Sequence, residues 1–210
     1  MRPRGRPGTV RAMPRAHRPL HAGLYHVATG STRPDPFFRD DVDRGAFLVE
    51  LVAALRRERA VCLGLCLLTT HYHLILDVDE GALPRVMQRV NWRYARAVNR
   101  RHHRLGHVVG RPYLSVPILD DAHLLSGYRY LAWNLVRAGV VKRPQDTRWS
   151  SYATTVGLRR DYSFVDARRV VGIFGRPYAI ATQRLRGFVE APTGASEPAP
   201  WPPRVARLAA

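Results

Sequence analysis

Hydrophobic positions along the chain fall into two kinds of pattern, short continuous runs and stripes spaced three and four apart. The run Tyr25-His26-Val27-Ala28-Thr29 reads as a first strand, which Gly30 ends. Asp43 then precedes a stripe of Phe47, Leu48, Leu51, Val52 and Leu55, one face of a helix. Arg56, Arg57 and Arg59 follow it, where cations complement the C-terminal end of the helix dipole. Two apolar runs, Val61 to Leu68 and His71 to Val78, are separated only by Thr69 and Thr70, which predicts an antiparallel hairpin. A second helix is expected over 83–103, buried through Val86, Val90, Tyr94, Ala97 and Val98. Residues 111–119 predict a strand that Pro112 and Pro117 push to a sheet edge, because proline donates nothing to the ladder. A third helix is expected over 121–138, with Asp120 or Asp121 as N-cap, Arg137 in the last turn and Gly139 just beyond.

The order strand, helix, strand, strand, helix, strand predicts an α+β fold, a ferredoxin-like sandwich of antiparallel sheet with its helices on one face. The third helix is then an addition packed near the sheet. Two short helices over 163–174 and 178–190 are expected further on. The predicted domain map is a disordered basic arm over 1–22, a folded domain over 23–145, a helical extension over 146–190 and a disordered proline-rich tail over 191–210. Within the extension, Trp149-Ser150-Ser151-Tyr152 reads as structural, a packed Trp with a serine capping a turn.

Composition narrows the class. A chain of 210 residues with 46% hydrophobic content supports one well-buried domain. Its 34 basic against 16 acidic residues give a net charge of +18, which points to a polyanionic partner, nucleic acid first. The expected second helix carries Arg85, Arg89, Arg93, Arg96, Arg100 and Arg101 with no acid among them, and Arg111 follows; a bound phosphate backbone is the natural neutraliser of such a stripe. Cys62 and Cys66 lie on one strand, their Cα atoms roughly 13 Å apart, too far for a disulfide. Buried thiols in a reducing cytoplasm are expected, near the nucleoid if the partner is DNA, and no apolar run reaches membrane-spanning length.

The chemistry concentrates in two places. On a strand, His71 and His73 share a face while Tyr72 turns to the other, so two imidazoles stand together on a rigid element. On the third helix Tyr130 and Asn134 are one turn apart and share a face, whereas Tyr128 looks elsewhere. His26 reads as a strand residue near the sheet edge. His103 and His107 lose any common face at Gly106.

At these positions the sequence resembles the single-tyrosine HUH transposases, and more narrowly the REP-associated tyrosine transposases. The resemblance runs from about Gly23 to Tyr152 and rests on His71-Tyr72-His73, Tyr130 with Asn134, Asn99-Arg100-Arg101-His102 with Gly106-His107, and Trp149-Ser150-Ser151-Tyr152. Leu68-Thr69-Thr70 stands where the family usually shows Met-Pro-Asn, and Leu135 replaces a usual proline. The resemblance implies Tyr130 as nucleophile, His71, His73 and Asn134 as ligands of Mg²⁺ or Mn²⁺, and a 5′-phosphotyrosine intermediate. It also implies single-stranded DNA beside a hairpin, REP-like or at a transposon end, as the partner. The protein would act as a monomer or homodimer, with no membrane involved. A non-catalytic or domesticated nucleic-acid-binding protein of the same fold, and an HUH replication initiator or relaxase, remain alternative readings at this point.

Overall fold

The computed structural model describes residues 21–31, 36–110 and 112–191. Four strands, β1 (Gly23–Gly30), β2 (Val61–Leu67), β3 (His71–Val78) and β4 (Leu114–Ile118), form one antiparallel sheet in the order β2-β3-β1-β4. Helix α1 (Asp41–Glu58) links β1 to β2, and α2 (Ala82–Arg101) links β3 to β4, so the core is the ferredoxin-like α+β fold. After β4 come α3 (Asp121–Arg137), a single 3₁₀ turn (Pro144–Asp146) and three further helices, α4 (Tyr152–Thr155), α5 (Ala167–Gly172) and α6 (Tyr178–Glu190). The expected terminal arm and tail lie almost wholly outside the described residues, as does Arg111.

Strand alternation sorts the side chains into two cores. Tyr25 and Val27 of β1, with Tyr72, Leu74, Leu76 and Val78 of β3, pack against Phe47 and Leu51 of α1 and Val86, Val90 and Tyr94 of α2. Tyr72 closes this layer by donating its hydroxyl to Asn91 Oδ1 at 2.6 Å. Ile75, with Leu63 and Cys66 of β2, faces the other way, against Leu124, Tyr128 and Leu131 of α3 and against Tyr152, Val170 and Leu185 of α4, α5 and α6. Each fully buried Leu, Val or Phe contributes roughly 1.5–3 kcal/mol by leaving water.

The βαββαβ core places α1 and α2 together on one face, as its order predicts, and the added α3 with its successors covers the opposite, equally apolar face of the sheet. β1 is also central, hydrogen-bonded to both β3 and β4, so His26 is not near an edge. The proline-bearing β4 is at an edge, as its sequence predicts.

The other edge, β2, is covered by the Trp149–Tyr152 segment. Leu67 N donates to the Trp149 carbonyl at 2.8 Å, Ser151 N to the Leu65 carbonyl at 3.0 Å, and Leu65 N to Ser151 Oγ at 3.0 Å. Donors that would otherwise be left unpaired at the edge are satisfied in this way.

β2 also carries a bulge. Leu63 is inserted between the pairs Cys62–Leu76 and Gly64–Ile75, which reverses the alternation beyond it. Cys62 consequently faces α1 and α2 while Cys66 faces α3; both thiols are free and buried. Burial pushes the Cys62 thiol up to about 12 and raises that of Cys66 as well.

Candidate active site

β3 brings His71 and His73 to the α3 side of the sheet, their ring centroids 5.0 Å apart. The turn before them is pinned by Ser31 N, which donates to the Thr70 carbonyl at 2.9 Å, and by Phe37 N and Phe38 N on the Thr69 carbonyl. Both imidazoles are buried, and burial keeps them neutral: His71 falls to about 4 from an ordinary value of 6.5, and His73 is lowered well below it, with His26 and His71 as further causes.

Helix α3 starts at Asp120, whose side chain accepts from His123 N at 2.7 Å. Its middle turn lays Tyr130 over the histidines, with the ring 5.6 Å from His73 and 5.9 Å from His26, edge-on to both. Tyr128 instead points into the core, where its ring packs against the backbone of Gly64. Asn134, one turn beyond Tyr130, is buried and donates Nδ2 to the Tyr130 carbonyl at 2.8 Å, which leaves Oδ1 as the oxygen donor of the amide. One turn further, the Arg137 guanidinium lies 5.1 Å from the Tyr130 ring centroid. Burial raises the phenol above its ordinary pKa, and the Arg137 charge works against that rise.

His26 joins the site from β1. It is paired across the sheet with Ile75, which makes it the diagonal neighbour of His73 on the same face, and its Nε2 lies 3.1 Å from His73 Nδ1. Thr70 Oγ1 meets His71 Nδ1 at 2.9 Å. Each imidazole of β3 therefore has Nδ1 engaged, while the Nε2 atoms of His71 and His73 are buried with no hydrogen-bond partner. Two neutral imidazoles with partnerless nitrogens fit a metal ion, since such nitrogens are costly to bury unless something binds them. Among the described residues no three His, Cys, Asp or Glu side chains are disposed to share an ion. The donors this geometry shows are the two imidazoles, with the Asn134 amide oxygen carried on α3 one turn from Tyr130.

Reading the sequence alone missed Arg137 and His26. Arg137 was legible, because positions 130, 134 and 137 follow one helical stripe. His26 was not, because its place beside His73 depends on which strand pairs with β3.

The expectation that no acid offsets the arginine stripe is corrected. Because α2 covers the face opposite the histidines, Arg85, Arg89, Arg93, Arg96, Arg100 and Arg101 stand on the other layer from Tyr130. The acids missing from α2 come from α1 and its cap. Glu58 pairs with Arg85 at 2.6 Å and Arg89 at 3.6 Å, Glu50 pairs with Arg93 at 3.7 Å, and Asp40 and Asp43 pair with Arg101 at 2.7 and 2.5 Å. Arg96 stacks on the exposed ring of Trp92 at 4.6 Å, and Arg100 lines the shallow groove beside it.

No protein-family model matches the sequence, and no curated protein matches it either. Among solved structures, the chain shares the fold of a REP-associated tyrosine transposase determined bound to a REP hairpin, with a TM-score of 0.61. The match covers 74% of this chain and 93% of that one at 16% sequence identity, a likeness of fold. No helix among the described residues is long and apolar enough to cross a membrane.

Proposed function

We propose that this chain is a metal-dependent single-strand DNA nicking and joining transposase that acts through Tyr130 at hairpin-flanked sites. The observation that carries the reading is the Tyr130 ring of α3 laid 5.6 Å from His73 of β3, with His71 beside His73 and Asn134 one helical turn from Tyr130. The shared fold with a transposase bound to a REP hairpin supports it, as does the net charge of +18.

A phosphodiester resists attack because its negative charge repels nucleophiles. His71, His73 and Asn134 would hold Mg²⁺ or Mn²⁺, which when bound supplies positive charge toward the non-bridging phosphate oxygens. Tyr130 Oη gives up its proton to solvent and attacks phosphorus, forming a phosphotyrosine to the 5′ end of one DNA piece while the 3′ oxygen of the other leaves and takes a proton from solvent. Arg137 steadies the phenolate, which needs help because burial raises the phenol pKa. The histidines take no proton in this scheme, since burial holds them neutral. The phosphotyrosine bond keeps the energy of the cleaved one, so a second 3′-hydroxyl can reverse the step and join strands.

The test is incubation of hairpin DNA, labelled at either end, with the protein and Mn²⁺. A denaturation-resistant adduct carrying the strand 3′ of the nick is expected with wild type and absent with Tyr130→Phe. DNA binding that persists while no adduct forms with any divalent ion would reduce the protein to a binding module.

A further inference from the structure

An imidazole can offer Nε2 to a cation only in the tautomer that carries its proton on Nδ1. For His73 that choice is made inside the sheet. Its Nδ1 lies 3.1 Å from Nε2 of His26, and the two side chains are 0% and 2% exposed. Between two neutral imidazoles one nitrogen donates and the other accepts. Were His26 the donor, the proton of His73 would sit on Nε2 and leave no lone pair there for a cation. With His73 as donor, its Nε2 keeps a bare lone pair, a form a cation completes.

We propose that His26 is a positioning residue that accepts the Nδ1–H of His73 and thereby fixes the tautomer and ring plane in which His73 Nε2 is open to the divalent ion. The proposal rests on the metal-dependent reading of the site. The backbone makes His26 a firm anchor: it is paired with Ile75 on one side and Val116 on the other, in the strand at the centre of the β3-β1-β4 ladder. Its ring is held against Tyr130 at 5.9 Å, so it has little room to turn. Thr70 Oγ1 occupies the matching place on His71, 2.9 Å from its Nδ1.

Two-bond ¹H–¹⁵N spectra of the metal-free full-length chain read the tautomer directly. Wild type should show His73 protonated on Nδ1 with Nε2 bare. His26→Phe keeps the bulk and removes the acceptor, so both tautomers of His73 should appear and Mn²⁺ affinity, measured by calorimetry, should fall roughly 10–100-fold. His26→Gln returns an acceptor oxygen and should restore the single tautomer and most of the affinity. A wild-type His73 protonated on Nε2, or a His26→Phe protein with unchanged tautomer and affinity, overturns the proposal. If His26→Phe does not fold, the wild-type spectrum and the Gln variant still decide. Neither readout uses DNA. The expected tautomer in a protein that never forms an adduct would sink the nicking reading and spare this one, whereas an adduct-forming protein with Nε2–H on His73 would do the reverse.

Discussion

The ring of Tyr130 on α3 stands edge-on to the imidazole of His73 on β3, 5.6 Å between centroids. Nothing local to either residue sets that distance; it follows from how closely α3 seats on β2 and β3. The seat is made at Gly64, beside the bulge, where a Cβ would come within 3.1 Å of the buried Tyr128 ring.

Gly64→Val should therefore lift α3 off the sheet. Overpacking of this kind costs about 1–3 kcal/mol. A urea titration should show the midpoint falling by that equivalent with little change in slope. The same variant should lose more adduct-forming rate than stability, because the phenol is carried away from the histidines. Full activity in a destabilised Gly64→Val protein would mean the seat does not govern the site.

Acid should unfold the metal-free protein early. Burial holds His26 at about 3 and His71 at about 4, and His73 is lowered too, against an ordinary 6.5. From 6.5 down to those values the unfolded chain binds more protons than the folded one, so stability rises with pH in that window and is lost as pH falls through it. Each buried imidazole contributes about 1.4 kcal/mol per pH unit there. Urea midpoints taken at a series of pH values should drop steeply below about pH 6.5, and His26→Gln should make the drop shallower. A flat profile would mean that the rings are hydrated and protonate freely.

The arginines of α2 should matter less to DNA than their number suggests. Arg85, Arg89 and Arg93 already face Glu58 and Glu50 and lie on the layer opposite Tyr130. Had each neutralised one phosphate, removing three would lower the slope of log affinity against log salt by about 2 to 2.7, at roughly 0.7–0.9 each. The triple alanine variant should instead change the slope by less than about one, read by fluorescence anisotropy with hairpin DNA. A loss of about two or more would put the DNA on the α2 layer.

Asn134 can be tested without DNA. Asn134→Ala removes the amide oxygen one helical turn from Tyr130 and should weaken Mn²⁺ binding by about tenfold or more. Asn134→Asp replaces it with a carboxylate, a harder and charged donor, and should bind Mn²⁺ at least as tightly as wild type. Equal affinities in all three proteins would leave Asn134 only its 2.8 Å bond to the Tyr130 carbonyl.

What the sequence determined by itself was everything with a short period. Strand alternation put His71 and His73 on one face and Tyr72 on the other, helical spacing aligned Tyr130 with Asn134, and the Asp120 cap set where that helix begins. The βαββαβ order, and with it the ferredoxin-like sheet, was legible in the same way. Tertiary structure alone decided the rest. It made β1 the neighbour of β3 and so brought His26 to His73; it used one inserted residue, Leu63, to turn Cys62 and Cys66 to opposite faces; it faced the arginines of α2 with the acids of α1; and it covered the second side of the sheet with α3. The physical reason is the same in each case. Periodicity states which way a side chain points from its own backbone, but what it meets there is set by strand order, register and layer, which are fixed by contacts between segments far apart in the chain.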